Sequence, residues 1–359
     1  MTTSPVEIPS RIPHRIGALL TVLVFPLIWL GGLVTTYDAG MAVPDWPGTY
    51  GYNMFLYPVE TWLFGPFDLL VEHGHRLLAS LSGIVAIVLV VATFKVEPRR
   101  WVRWFSVILL LLIILQGGLG GARVLMDERI IAKIHGCVGP TFFISVVAFC
   151  VVTSRWWFTG SRGEVMPTSD QAGPRWLGRF AIFMLLLCLS QLVLGALVRH
   201  VGIDSSPRAF RGLIFMHVGM AFVIVLGTII HWIGSRRTTW SGSGIRTSVN
   251  MVAILVLTQF SLGLGTWVVK WGWPAWFADQ AFASSYIVGE KTFFQMNLVT
   301  AHVAVGSLIL AFWTIHAIRC LRLNHRWKHR SANKEIAGDM QTRPEQFQLS
   351  QPTEVPVQV

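Results

Sequence analysis

The stretch Glu72-His73-Gly74-His75-Arg76 stands directly before the apolar run LLASLSGIVAIVLVVATF at residues 77–94. A run of this length and composition predicts a helix that crosses a lipid bilayer, which takes about 20 apolar residues. Ionisable side chains at the end of such a helix are costly unless they are paired, hydrated or bound to a ligand. The stretch therefore predicts a membrane protein with a functional site at this point, and the rest of the chain should supply its partners.

The composition places the whole chain in the membrane class. Of its 359 residues, 53% are hydrophobic and 13% are charged, against roughly 25% charged in soluble proteins. The formal charge of +11 comes from Lys and Arg residues between the apolar runs, where they determine membrane orientation, so we expect no nucleic-acid partner. The four cysteines form no CxxC pair, and the first apolar run is followed by no convincing signal-peptide cleavage site.

Eight apolar segments are long enough to span a membrane. They cover about residues 16–34, 76–94, 104–122, 131–153, 179–198, 212–233, 249–269 and 296–318. Short similarities relate the first four segments to the last four: LGGLV at 30–34 resembles LGALV at 194–198, and Gln116 with its glycines resembles Gln259 with its own. The sequence predicts an all-α membrane protein of eight transmembrane helices in two pseudo-symmetric four-helix bundles.

The basic residues and the repeat together predict the domain organisation. Lys and Arg concentrate at the N-terminus, in every second connection and after the last apolar segment. Both termini are therefore predicted to be cytoplasmic. The predicted parts are a cytoplasmic N-terminus at 1–15, a first bundle at 16–153, a cytoplasmic linker at 154–178, a second bundle at 179–320 and a disordered cytoplasmic tail at 331–359.

One histidine lies near the outer end of each even-numbered helix. These residues are His75, His135, His217 and His302. A single such histidine is as well explained by a hydrogen bond to a neighbouring helix, but four at one depth in both halves favour metal ligation. Imidazoles on facing helices are how a four-helix bundle holds heme. We therefore predict these four residues as metal ligands.

Other residues fit a heme site but also have ordinary interpretations. The odd-numbered helices carry glycines at similar depth, which allow close approach of a flat macrocycle or of another helix. Arg123, Arg199 and Lys270 lie just beyond these glycines and suit either heme propionates or the membrane interface. His231 and His316 follow His217 and His302 by fourteen residues. That spacing would allow a second heme, although a pair of interfacial histidines is the preferred interpretation.

The motifs resemble those of a known family. Glu72-x-x-His75-Arg76 looks like the EXXHR signature of the heme A synthase family. The segments GlyGlyLeuVal at 31–34, AlaGlyMet at 39–41 and ProAspTrpPro at 44–47 are similar to its first external loop. The resemblance covers roughly residues 16–320.

The resemblance implies oxidation of the C8 methyl of heme O to the formyl group of heme A, by successive hydroxylations and loss of water. Glu72 would be the catalytic carboxylate, beside His75 and His135 at the substrate. His217 and His302 would hold a heme b that relays electrons. The predicted heme-binding set also contains three arginines, Arg76, Arg123 and Arg199. The implied location is a bacterial inner membrane, with membrane lipid, heme O synthase and the assembly of cytochrome oxidase as partners. Homo-oligomerisation is left open.

The sequence also departs from the family pattern. Val43 and Thr49 stand where bacterial members often have a cysteine pair, Thr35 stands where Arg is frequent, and Val218 and Val303 follow the histidines of the second half. His73 is expected to be a solvated boundary residue.

Two other functional classes compete with the enzyme. One is a non-catalytic diheme cytochrome b that uses His231 and His316 for a second heme. The other is a transporter, suggested only by the internal repeat and the number of helices.

Overall fold

The computed structural model describes residues 10–159, 175–201, 205–237 and 244–342. Within this part of the chain, eight helices are long and apolar enough to cross a membrane. They are α1 (Ile12–Thr36), α2 (Phe67–Val96), α3 (Arg100–Met126), α4 (Arg129–Thr153), α5 (Arg175–Arg199), α6 (Pro207–Arg236), α7 (Ile245–Trp271) and α8 (Phe293–Thr342). Shorter helical turns occur at Met54–Leu56, Val59–Leu63, Arg155–Thr159, Ala275–Phe277 and Ala281–Ser284. The predicted all-α fold with eight membrane-spanning helices is confirmed.

The helices form two closed groups of four. In the first, each of α1 to α4 packs on the next and α1 also packs on α4; the same pattern joins α5 to α8. The two groups meet where α8 packs on α1 and α4, and where α4 packs on α5. These groups correspond to the two four-helix bundles predicted from the repeat.

The core runs through both bundles. Its main cluster of buried apolar side chains takes residues from all eight helices. Helices α4 and α8 are the most central, with half of their most apolar segment buried, and the other six present more of their surface outward. The outward surface is apolar too, for example at Trp104 and Leu111, as a lipid environment requires.

Helix α2 begins earlier than the hydropathy predicted. Its first residue is Phe67, after Pro66, and not a residue near 76. The Glu72–Arg76 stretch is therefore inside the helix, where positions four residues apart share a face. The physical reason is that the connection between α1 and α2 covers these polar residues, so their helical backbone does not need to end where the apolar run begins.

The connection between α1 and α2, residues 37–66, folds over the end of the first bundle that the basic residues predict to be the outer one. Ala39, Val43 and Thr49 are almost fully buried although they lie in a loop. Trp46 packs so closely on Gly121 of α3 that no side chain would fit at that glycine. We call this segment the outer loop. It closes the first bundle at the level of Glu72.

The ends of the predicted domains are only partly described. Helix α8 continues to Thr342, beyond residue 331, where the sequence predicted disorder. Extending an existing helix avoids the cost of nucleation, and Lys, Glu and Ala in this segment favour helix. The predictions for residues 1–9, for 160–174 of the linker and for 343–359 of the tail lie outside the described residues.

The contact between the two bundles yields a first prediction. A methyl group at Gly32 of α1 would stand 2.8 Å from Cγ2 of Thr300 on α8, whereas nothing lies within 4 Å of the same position at Gly83. We expect Gly32→Ala to lower the free energy of unfolding by about 1–3 kcal/mol through overpacking, and Gly83→Ala to leave it unchanged or slightly higher. Thermal unfolding in detergent measures both. Thr300→Ser should restore much of the loss in the double variant; equal effects of the two glycine substitutions would contradict this packing.

Candidate active site

Each of the four predicted ligand histidines lies against a glycine of the preceding helix. The pairs are His75 with Gly31, His135 with Gly120, His217 with Gly195 and His302 with Gly263. A methyl group added at these glycines would stand 3.0–3.3 Å from Cε1 of the ring, which is too close without a shift of the ring. The arrangement is therefore the same four times, and each ring is seated in a notch that only glycine leaves open.

The ring nitrogens have a common environment. In the described part of the chain, Nδ1 of each of the four histidines is buried without a hydrogen-bond partner. In three of the notches, glutamine side chains on the odd-numbered helices approach the histidine. The Nε2 atoms of Gln116 and Gln191 donate to the backbone oxygens of His135 and His217 at 2.9 Å, and Nε2 of Gln259 is 3.4 Å from Nε2 of His302. These Nδ1 atoms lie 3.6–3.8 Å from the position of an added methyl group at the notch glycines, so a metal ion would be bound through Nε2.

The pair in the second bundle has the spacing of two ligands on one metal ion. The ring centroids of His217 and His302 are 6.3 Å apart, with the ring planes at 69°. Two imidazoles that bind one ion through bonds of about 2 Å have centroids roughly 6 Å apart. These two residues would therefore be able to hold one metal ion between them, such as the iron of a heme.

The first bundle also contains a buried carboxylate close to one of its histidines. The side chain of Glu72 is almost fully buried, one turn before His75 on α2. Its Oε2 accepts a hydrogen bond from the backbone N–H of Val43 at 2.9 Å, and its Oε1 accepts one from Nη2 of Arg76 at 2.8 Å. The pair Glu72–Arg76 is the i, i+4 ion pair that the early start of α2 makes available.

Arg76 connects this carboxylate to the outer loop. Its Nη1 donates to the backbone oxygens of Asp45 and Gly48 at 2.7 and 3.0 Å, and its Nη2 donates to that of Val43 at 2.8 Å. The planar guanidinium holds several acceptors at once, which an ammonium group does less well. The sequence predicted Arg76 as a heme-binding residue. Its contacts join it to the loop and to Glu72, and its role toward heme stays a prediction.

Hydrogen bonds between residues of the outer loop also stabilise it. The carboxylate of Asp45 accepts hydrogen bonds from the backbone N–H groups of Tyr50 and Gly51 at 2.7 and 2.9 Å. Burial raises the pKa of Asp45, but these hydrogen bonds and the charge of Arg76 outweigh it and hold the pKa below its usual value. The charged form therefore supports the loop at neutral pH, and this support is lost only as the pH falls through the depressed pKa.

The other two predicted arginines lie at the outer ends of α3 and α5. Nη2 of Arg123 donates to the backbone oxygen of Gly40 in the outer loop at 2.6 Å. Nη2 of Arg199 crosses to the first bundle, where it donates to the backbone oxygen of Gly32 and to Oγ1 of Thr36 at 2.7 and 2.6 Å. Both side chains are thus near the level of the histidines, with further N–H groups for an acidic ligand. Their role toward heme stays a prediction.

The pair His231 and His316 differs in geometry from the outer pair on the same helices. The two Nε2 atoms are 2.7 Å apart and hydrogen bonded, and Nδ1 of His316 is 2.8 Å from Oγ of Ser248. An iron ion with bonds of about 2 Å on each side does not fit between atoms so close. Both rings are fully buried within the protein, enclosed by aromatic side chains such as those of Phe180 and Trp313, and their depth in the membrane stays a prediction.

Comparison with known proteins agrees with this site. The family model described as "Cytochrome oxidase assembly protein" (COX15-CtaA) matches residues 14–203, more than half of the chain. The chain belongs to the COX15-CtaA family. The match includes Glu72, His75 and His135, so the resemblance to the heme A synthase family is confirmed.

Several individual relatives carry the name heme A synthase. That of an Exiguobacterium species (strain ATCC BAA-1283 / AT1b) is 25% identical over 271 residues, which cover 71% of this chain and 83% of the relative. That of Shouchella clausii is 23% identical over 270 residues, covering 70% and 85%. That of Methylorubrum populi is 32% identical over 165 residues, covering 43% and 40%.

The sequence missed part of the site in this COX15-CtaA protein. His73 was expected to be solvated, but its side chain is fully buried, because the outer loop folds over it. Its Nδ1 lies 3.1 Å from Oγ1 of Thr49, and its ring contacts those of Tyr57 and Trp62 at 5.4 and 5.0 Å between centroids. The available signal was the aromatic content of the loop, which is unusual for a solvated connection.

The glycine notches give a second prediction. On α3, a side chain at Gly120 would meet the ring of His135, whereas nothing lies within 4 Å of that position at Gly118. We expect Gly120→Val to displace the ring and to lower the heme bound per protein at least several-fold, and Gly263→Val to act likewise on His302. Gly118→Val, on the same helix, should leave heme content unchanged. Absorbance of the purified proteins and of extracted heme measures this; similar heme content in all three variants would show that the notches are not needed for binding.

Proposed function

We propose that this protein is a heme A synthase, an integral membrane oxidoreductase that converts heme O into heme A by oxidising the C8 methyl group to a formyl group. One observation carries the proposal. Two equivalent histidine pairs occupy equivalent positions in the two bundles, but only the first has a buried carboxylate one turn away. The residue at the position of Glu72 in the second bundle is Ile214. The first bundle is thus equipped for chemistry and the second for holding a cofactor.

The second bundle is assigned to heme b. His217 and His302 have the spacing of two axial ligands, and the notches at Gly195 and Gly263 fix their rings. Bound there, heme b would supply one-electron redox chemistry. The contribution of the protein is to orient both imidazoles and to keep the group inside the apolar bundle, near the contact with the first bundle.

The first bundle is assigned to the substrate, heme O. His75 and His135 would position it, and Arg123 offers a cation at the outer end of the same bundle. Oxidation of a methyl to a formyl group moves protons as well as electrons, so the site needs a group that exchanges protons. Glu72 is a carboxylate with a fixed direction, because Val43 and Arg76 hold both of its oxygens. Such a group accepts a proton or stabilises positive charge that develops on the reacting carbon.

The outer loop would serve this chemistry by excluding water. Val43 and Thr49 are fully buried, and Arg76 and Arg123 fasten the loop to α2 and α3. A closed, dry site strengthens the electrostatic effect of Glu72. The distribution of basic residues supports termini in the cytoplasm, which, in the bacterial inner membrane that the family resemblance implies, would place this site near the outer face. Heme O synthase would supply the substrate, and the assembly of cytochrome oxidase would use the product.

Two matched substitutions test the enzyme. Glu72→Gln keeps the shape of the side chain but removes its charge, and we expect it to retain bound heme while losing at least about 100-fold in heme A formation. Glu97→Gln is the control, because Glu97 is also a buried carboxylate paired with an arginine, Arg99, but at the opposite end of α2. Co-expression with a heme O synthase, followed by heme extraction and chromatography, measures the product.

Two outcomes of this experiment would contradict the proposal. If the extracts contain only heme B in the parent protein as well as in the Glu72→Gln variant, the protein does not make heme A. If both glutamine variants make heme A like the parent, Glu72 is not the catalytic carboxylate.

A second test separates the enzyme from the diheme electron carrier. The carrier needs His231 and His316 as ligands, whereas the distance of 2.7 Å between them favours a direct hydrogen bond. We expect His231→Gln and His316→Gln to leave heme content unchanged. His217→Gln and His302→Gln, on the same two helices, should each lower it by about half, because one of two heme sites is lost. Loss of heme in the first pair of variants would favour the carrier.

A further inference from the structure

A cavity of about 390 Å³ lies away from the four predicted ligand histidines, at the end of the protein where the basic residues concentrate. We call this the basic end. Helices α1, α4 and α8 and the turn Arg155–Thr159 enclose the cavity, so it is situated where the first bundle meets the second. Val22, one of its lining residues, is 66% exposed. The cavity therefore opens sideways, toward the surrounding membrane.

Two hydrogen-bond donors in the wall of this cavity lack acceptors. Nε of Arg319 and Nε1 of Trp156 are buried atoms with no hydrogen-bond partner in the described part of the chain. Nη1 of Arg319 donates to the backbone oxygen of Gly244 at 3.2 Å, and its Cζ lies 5.4 Å from the ring centroid of Trp156. The two side chains are thus held together while one N–H of each remains unused, which is costly for a buried group.

The charge of Arg319 is also uncompensated at the cavity. None of the residues that line it is an aspartate or a glutamate; the other polar members are His14, Thr21, Cys150 and Ser154. Nδ1 of His14 is engaged with the backbone oxygen of Cys150 at 3.0 Å. A half-buried guanidinium with apolar neighbours favours an anionic partner, because its charge is desolvated and no carboxylate of the described residues lines the cavity.

We propose that this cavity binds an anionic phospholipid. Its phosphate would accept hydrogen bonds from Nε of Arg319 and Nε1 of Trp156, and its acyl chains would pass between Val22, Val147 and Ile315 into the bilayer. An acceptor group joined to an apolar tail matches both the donors and the aliphatic walls. The volume lies within the range for ligand sites and suits a headgroup with the first part of the chains. Basic pockets between transmembrane helices on the cytoplasmic side are suited to such headgroups.

The position of the cavity predicts what the lipid does. Because α1 and α4 belong to the first bundle and α8 to the second, a lipid bound between them contacts both bundles at once. A ligand that binds only the folded arrangement stabilises it. We therefore expect the bound lipid to raise the unfolding temperature of the whole protein.

The experiment uses the delipidated full-length protein in detergent, with lipid binding measured by native mass spectrometry. The probes are phosphatidylglycerol, phosphatidylcholine and inorganic phosphate. We expect phosphatidylglycerol to bind at least about tenfold more tightly than the other two and to raise the unfolding temperature. Trp156→Phe removes the N–H but keeps an aromatic ring, and should weaken phosphatidylglycerol binding about tenfold. Arg319→Gln should have the larger effect, since it also removes the charge.

Matched controls make the result specific. Trp104→Phe and Arg100→Gln change exposed residues of the same types on α3, and should leave binding unchanged. Equal affinity for phosphatidylglycerol and phosphatidylcholine, or equal loss in the controls, would overturn the proposal, since the attraction would then be a general property of the surface. Binding of inorganic phosphate as tight as that of the lipid would also overturn it, in favour of a site for free anions. The result does not depend on whether the protein makes heme A.

Discussion

The close approach of a histidine ring to a bare stretch of helix backbone is the contact on which the rest of this structure depends. It occurs once between each odd-numbered helix and the even-numbered helix that follows it. A glycine is favoured there, because a methyl group would stand 3.0–3.3 Å from the ring. Inside a bilayer the hydrophobic effect does not drive helices together, so packing and hydrogen bonds must determine their register. The notch does this: it fixes the depth of each ring relative to the preceding helix. Four equal notches then place one ring at an equivalent position on each even-numbered helix, and in the second bundle the ring centroids of His217 and His302 are 6.3 Å apart.

The second bundle shows which features of the first are not needed for folding. It has the same notches and the same closed ring of four helices, but Ile214 and Val218 occupy the positions that Glu72 and Arg76 occupy in α2. A bundle of this type therefore holds together without the ion pair. Burying such a pair costs desolvation energy that its own attraction does not always offset. In the first bundle, the backbone groups of the outer loop supply the additional hydrogen bonds, so the charges and the buried part of the loop form one unit.

The parts that the sequence predicted are those determined by local pattern. Hydropathy identified all eight membrane helices, and spacing identified the four histidines. Hydropathy did not show that α2 begins at Phe67. The polar residues before the apolar run are part of the helix because the outer loop covers them, and hydropathy contains no information on that contact. The burial of His73 has the same cause. The partners of Arg76 are mostly backbone oxygens, which leave no mark in the sequence. The glycines were expected to admit a macrocycle or a neighbouring helix. The structure shows that four of them seat the histidine rings, while Gly32 contacts Thr300 of α8.

The two histidine pairs on α6 and α8 show how the neighbouring helix decides what a pair can do. At the outer level, Gly195 of α5 leaves a notch in which the ring of His217 is drawn back, and its centroid is 6.3 Å from that of His302. At the inner level, Phe180 of the same helix stacks on His231 at 5.5 Å. A ring with an aromatic side chain behind it has no space to withdraw, and His231 meets His316 directly. The residue types and the spacing along α6 and α8 are the same at both levels. The size of the residue on α5 therefore distinguishes a pair with the spacing for a shared ion from a pair whose two rings are hydrogen bonded to each other.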